Sequence, residues 1–150
     1  MIDLDLIAYR DKLRTRPNEA GQTEIYDTVR KKWLVLLPEE MVRQLFIHYC
    51  ISKNLCPPSR ISIERQITIN NISRRYDIVL FNSKGNPEIL VECKAPSVVL
   101  DAAVFEQIAH YNMALRVPYL IVTNGMHTHA FVIDFERNDF NPVSEMPAVT

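Results

Sequence analysis

Glycine is scarce in this chain: Gly21, Gly85 and Gly125 are the three present among 150 residues. None stands in a Gly-x-x-x-x-Gly-Lys-Ser/Thr or Gly-x-Gly-x-x-Gly setting, so neither a P-loop nor a dinucleotide fold is indicated. No nucleotide-driven motor is expected. Long apolar runs are missing too. Trp33-Leu34-Val35-Leu36-Leu37 is the longest obvious one, far short of the roughly 20 residues that span a bilayer. Met1-Ile2-Asp3-Leu4-Asp5 lacks the basic start and long apolar stretch of a signal peptide. Cysteine is limited to Cys50, Cys56 and Cys93, odd in number and without a Cys-x-x-Cys pair. That usage fits a reduced cytoplasm and argues against a disulfide framework or zinc ribbon. Excess charge is also lacking, the net being −1. Any contact with nucleic acid would rest on local clusters such as Arg30-Lys31-Lys32 and Arg74-Arg75, which read equally well as solvated surface.

What is present belongs to an ordinary globule, 47% apolar and 23% charged. A chain of this length buries roughly 68–70% of its unfolded surface in one domain. Residues 1–24 read as an N-terminal arm with a short helix. A strand is expected over 30–37 and a helix over 38–50, opened by Pro38 and acids near the positive end of its dipole. Val42, Leu45, Phe46 and Tyr49 form its core stripe. Residues 61–69 alternate, placing Ile61, Ile63, Ile67 and Ile69 on one face. A second helix over 101–116 takes Asp101 as its cap and buries Val104, Ile108, Tyr111 and Leu115. Strands over 119–123 and 128–134 follow, and 137–150 reads as a loose polar tail.

The most informative residues are Asp77 and, fifteen positions later, Glu92-Cys93-Lys94. Both lie in apolar segments, Ile78-Val79-Leu80-Phe81 and Ile89-Leu90-Val91, that read as covered strands. Burying an unpaired carboxylate is expensive, so such groups usually have a partner or a metal. The intervening Asn82-Ser83-Lys84-Gly85-Asn86-Pro87 is rich in turn formers. If Phe81 faces Glu88, opposed residue numbers sum to 169 and Asp77 falls across from Glu92. Opposed Cβ atoms lie roughly 4.5–5.5 Å apart, and Lys94 shares the face of Glu92. Two carboxylates and a lysine at a sheet end suit a divalent cation and a water, which points to phosphodiester hydrolysis. The alternative is a solvated polar patch without chemistry. His127-x-His129 is a weaker metal candidate, since no acid or cysteine accompanies it.

Taken with Val29-Arg30-Lys31-Lys32, Leu37-Pro38-Glu39-Glu40-Met41-Val42-Arg43-Gln44, Arg75-Tyr76-Asp77, Val91-Glu92-Cys93-Lys94-Ala95-Pro96, Gln107-Ile108-Ala109-His110-Tyr111-Asn112 and Thr123-Asn124-Gly125, the chain resembles the PD-(D/E)XK nuclease superfamily. More narrowly, it resembles the N-terminal nuclease domain of the restriction subunit of type I restriction enzymes. The resemblance implies an α/β fold with a restriction-endonuclease-like core, a mixed central sheet flanked by helices. It implies a nuclease-like domain over 25–136 and Mg²⁺-dependent cleavage of DNA, with Mn²⁺ as a substitute. Asp77 and Glu92 would hold the metal, with the Cys93 carbonyl as a third ligand. Lys94 would position or deprotonate the attacking water. Gln107 and Tyr111 are similar to the Gln-x-x-x-Tyr motif of some branches and, lying four apart, share a helix face. The family also places a glutamate of the first helix near the metal, here Glu39 or Glu40, with Glu39 favoured because it lies beside Val42 and Phe46. The helicase-like motor that follows this domain in restriction enzymes is not found in the sequence, so cleavage chemistry is the part that carries over. Implied partners are DNA, a separate motor or methylase subunit, and a second copy of the chain, with no membrane. The alternative function is a catalytically silent DNA-binding or docking module of a restriction or repair complex.

Overall fold

The computed structural model describes residues 1–150, the side chain of Ile69 excepted. A six-stranded sheet runs in the order β4 (Ile61–Ile69), β5 (Ile72–Phe81), β6 (Pro87–Cys93), β7 (Tyr119–Thr123), β8 (Thr128–Asp134), β9 (Asp139–Val143). The β6–β7 pair is parallel and the other pairs are antiparallel, so the sheet is mixed. The parallel step needs a crossover, and α2 (Ala102–Met113) supplies it. A smaller sheet joins β1 (Thr15–Pro17), β2 (Thr23–Asp27) and β3 (Lys32–Val35) ahead of α1 (Pro38–Ser52). Among the described residues, no helix is long and apolar enough to cross a membrane.

Each face of the large sheet has its own core. Val42, Leu45, Phe46 and Tyr49 of α1 pack with Ile61, Ile63, Ile78, Leu80, Ile89 and Val91. Ile108, Ala109 and Met113 of α2 pack with Ile67, Tyr76, Val79, Leu90, Leu120 and Phe131. The stripe expected on α1 is therefore buried. Helix α2 is shorter than expected, and Asp101 caps it, its Oδ1 accepting from the Val104 amide at 3.0 Å. Ile108 and Leu115 are buried, but Tyr111 is 49% exposed rather than core.

Three further expectations need correction. Strand β4 does not keep its isoleucines on one face: Ile61 and Ile63 join the α1 core, and Ile67 joins the α2 core. Between them Glu64 adopts the left-handed region at φ 47°, which breaks the alternation a strand otherwise keeps. The side chain of Ile69 lies outside the described residues. The strand expected over 30–37 shrinks to Lys32–Val35, because Lys31 turns the chain at φ 54°. Nor is the end of the chain a loose tail. Asp139–Val143 pairs with β8 as an edge strand, where Pro142 costs no central ladder bond, and Met146 and Val149 pack on the α1 core. At the other end, Ile2 bridges to Thr128 and Leu6 is fully buried, so the N-terminal arm is docked on the core.

Candidate active site at the fork of the sheet

The β5–β6 turn closes because Asn82 Oδ1 accepts from the Lys84 and Asn86 amides, both at 3.0 Å. Gly85 supplies the positive φ of 81° that the turn requires. The ladder then pairs Leu80 with Ile89, Val79 with Leu90 and Ile78 with Val91, the register expected from the sequence. Phe81, however, faces Pro87 rather than Glu88. The Asn82 amide bonds to the Asn86 carbonyl at 2.9 Å, drawing Pro87 beside Phe81, and a register shift at Leu80/Phe81 absorbs the difference.

Pairing ends at Ile78 and Val91, one step before Asp77 and Glu92. There the two strands part: β5 stays with β4, while β6 stays with β7 through Cys93. Asp77 sits in the crotch, and its Oδ2 accepts from the Cys93 amide at 2.7 Å. Its Oδ1 accepts from Arg43 at 2.9 Å. Arg43, 4% exposed on α1, also pairs with Glu40 and approaches Glu64 at 3.5 Å. Burial opposes its charge, but Glu40 and Asp77 more than offset that, and its pKa is raised. Arg30 extends the network, reaching Asp27 at 2.6 Å, Glu64 at 2.8 Å and Glu40 at 3.4 Å. Gln44 donates to Glu40 at 3.0 Å.

Glu92 and Lys94 turn to the other side, into an open cleft of about 490 Å³ between β5, β6 and α2. Arg75, Val98, Val104, Gln107, Ile108 and Tyr111 complete its walls. Burial, and then the charge of Asp77, push the Glu92 carboxyl up to about 8, against a smaller pull from Lys94. Glu39 is raised as well, first by burial and next by Asp77, while Lys94 and Arg43 act against the shift. Glu39 thus feels the charges of this site, whereas Glu40 is held in the arginine network. Arg74 lies over the Tyr111 ring, 4.5 Å from its centre, at the rim of the cleft.

The fold therefore gathers Glu92, Lys94, Gln107 and Tyr111 in one cleft and sets Asp77 and Glu39 within its electrostatic reach. The Cys93 side chain points into the α1 core, so only its backbone faces the site. His129 packs on Phe105 with ring centres 4.5 Å apart, and His127 is exposed. Reading α1 as an apolar stripe gave no role to Arg43 or Gln44, although their partners Glu40 and Asp77 were candidates. Their signal was present, since Glu40, Arg43 and Gln44 recur at helical spacing on a helix whose same turns are buried.

No curated protein matches the chain. Among solved structures it is similar to a fragment of a protein described as the HsdR subunit of a type I restriction enzyme from Vibrio vulnificus YJ016. The TM-score is 0.51 at 16% identity, over 75% of this chain and 24% of that one, and this likeness speaks to the fold. The chain thus spans about a quarter of that chain. Residues 38–147, which run from the first turn of α1 past β9 and include the whole cleft, match the model for the type I restriction enzyme R protein N terminus, and the chain belongs to that family.

Proposed function

We propose that the chain is a metal-dependent DNA nuclease with a PD-(D/E)XK-type core, related in role to the R subunit of type I restriction enzymes. The observation that carries this reading is the convergence of Glu92, Lys94, Gln107 and Tyr111 on one open cleft beside Asp77. Mg²⁺ takes oxygen ligands and is usually held through one or two carboxylates, with water and phosphate oxygens completing its shell. Asp77 and Glu92 offer such oxygens, and a cation would offset the burial and the Asp77 charge that raise the Glu92 carboxyl. Among the described residues no three His, Cys, Asp or Glu side chains form a ready metal cluster. Asp77 and Glu92 would therefore hold Mg²⁺ or Mn²⁺ with the Cys93 carbonyl, leaving water and substrate to supply the rest. When bound, the ion would polarise the phosphate and acidify water.

The chain's own groups do the remaining work. Arg43 and the Cys93 amide fix the orientation of the Asp77 carboxylate. Lys94 makes no ion pair within 4 Å among the described residues. Its ammonium is thus free to hold a water and offset charge on the phosphate in the transition state. Gln107 and Tyr111, both exposed on α2, face the same space and would orient the strand. Glu39 would be a further acceptor at the metal's edge.

A purified sample should nick plasmid with Mg²⁺ or Mn²⁺ and be silent in EDTA. Lys94→Ala should lower the rate by roughly 10²–10³, the usual cost of removing one charge-stabilising donor, while leaving Mn²⁺ binding intact. Robust cleavage without metal, or a wild-type rate in Lys94→Ala, overturns the reading. One observation favours a second reading, a silent DNA-binding or docking module: both oxygens of Asp77 are already bonded within the protein. Calorimetry separates the two, since Mn²⁺ binding that vanishes in Asp77→Ala supports the nuclease and no binding supports the module. A separate motor or methylase subunit, or a second copy of the chain, would be a partner under either reading.

A further inference from the structure

The small sheet has two unlike faces. Ile25 and Asp27 are fully buried on one of them, opposite Leu34 and Lys32. The other face pairs Arg16 with Glu24, Glu24 with Val35, and Tyr26 with Trp33. The Tyr26 and Trp33 rings lie 5.2 Å apart. The Arg14 guanidinium lies over the Tyr26 ring, 4.5 Å from its centre, and 5.6 Å from that of Trp33, over which the Arg16 guanidinium lies at 4.2 Å. Neither ring is fully buried, and both arginines are exposed.

Charge is concentrated here as well. Residues 10–37 hold seven Lys or Arg against four Asp or Glu, in a chain with 17 against 18. Two of the four acids are already matched, Asp27 by Arg30 at 2.6 Å and Glu24 by Arg16 at 3.6 Å. Arg10, Lys12, Arg14, Lys31 and Lys32 stay exposed. A face that carries two adjacent rings and two exposed guanidiniums is complementary to one ligand above others. Phosphates satisfy the guanidiniums, and bases satisfy the rings.

We propose that the outer face of β1–β3 binds single-stranded DNA, Arg14 and Arg16 swinging off the rings onto its phosphates and leaving Tyr26 and Trp33 to stack against its bases. A cationic track beside aromatic side chains is how proteins hold single strands without reading sequence. A duplex keeps its bases stacked inside, so it would use the charges but not the rings. The platform is joined to the cleft, because Arg30 in the β2–β3 turn bonds Glu64 at 2.8 Å, and Arg43 links that network to Asp77. The proposal rests on DNA being the ligand of the proposed function, but not on cleavage.

Trp33 is the sole tryptophan, so its emission reports on this face directly. The full chain is titrated in EDTA with a labelled oligothymidylate of about 20 nucleotides, a length that covers at least one strand-binding site. Trp33 emission should change in step with the anisotropy of the label. Arg14→Ala/Arg16→Ala should weaken binding by about tenfold or more and flatten the salt dependence by about 1.4 in log–log slope, two single-strand phosphate contacts' worth. Trp33→Phe should keep the affinity and Trp33→Ala should lose about tenfold. Circular dichroism checks that each variant is folded. Absence of binding at low salt, equal affinity for duplex, or unchanged affinity in the double arginine variant overturns the proposal. Plasmid cleavage with a silent Trp33 would sink this platform and spare the nuclease. Binding without cleavage would do the reverse.

Discussion

The two sides of the sheet fork treat charge in opposite ways. Toward α1, Asp27, Arg30, Glu40, Arg43, Glu64 and Asp77 form a chain of pairs in which each ion has a partner. Toward α2, Glu92 is pushed toward its neutral form by burial and by Asp77, and Lys94 faces an open cleft. Buried pairs are costly to break and add little net stability, so the first side reads as a device for fixing geometry. Perturbed, incompletely compensated groups in a cleft are where chemistry is found. Under the proposed nuclease reading, positioning falls to one side and reaction to the other, with Asp77 shared between them.

Breaking the satisfied side should have the largest effect. Arg43→Met removes a buried guanidinium, strips Asp77 of its cation and leaves Glu40 with Arg30 and Gln44 alone. It should cost about 3–5 kcal/mol, as expected when one member of a buried pair is lost. Urea unfolding would show this as a lower midpoint at unchanged slope, and a near-wild-type midpoint would mean that the network is dispensable.

A smaller effect is expected from Glu92. Its carboxyl is raised in the folded protein from 4.5 to about 8, so the folded state binds a proton that the unfolded chain releases. Stability from this group is thus complete below about pH 4.5 and declines as pH rises toward 8. Glu92→Gln, which stays neutral, should flatten that decline and be the more stable protein near pH 8. Unfolding curves across this range are the check. Identical slopes for the two proteins would show that Glu92 titrates normally.

The smallest effect belongs to the exposed wall of the cleft. Gln107→Ala and Tyr111→Ala remove surface side chains that fill no core position. Their stability should stay within about 0.5 kcal/mol of wild type, while cleavage falls if they touch the strand. A large loss of stability with unchanged cleavage would place them in the fold and not in the site.

Much of this arrangement was readable from the chain, and the unread parts share a cause. The central pairs of the hairpin followed from turn composition and alternating apolar residues. Asp77 opposite Glu92 did not, because the ladder ends at Ile78 and Val91 and the strands part there, although the two carboxyls still feel each other's charge. Phe81 opposite Pro87 did not, since the side chain of Asn82 decides where the loop closes. The break at Glu64 escaped because alternation assumes an extended backbone, and nothing local in Ile63-Glu64-Arg65 announces φ 47°. Arg43 was hidden by the assumption that a buried helix face is apolar. Its partners, Asp77 and Glu64, come from strands far along the chain. Strand β9 was masked by its polar composition, because Phe140 and Val143 give too short a pattern to stand out from a tail. Local chemistry was legible, and closures between distant segments were not.

Those distant closures have a kinetic consequence. Arg30 reaches Glu64, and Arg43 reaches Asp77, each across 34 residues. Such contacts repay their loop entropy only after the intervening hairpin and helix are in place. The arginine network should therefore be absent from the folding transition state and should act as a latch on the finished structure. Its strength would govern how slowly the native protein opens, with little influence on how quickly it forms.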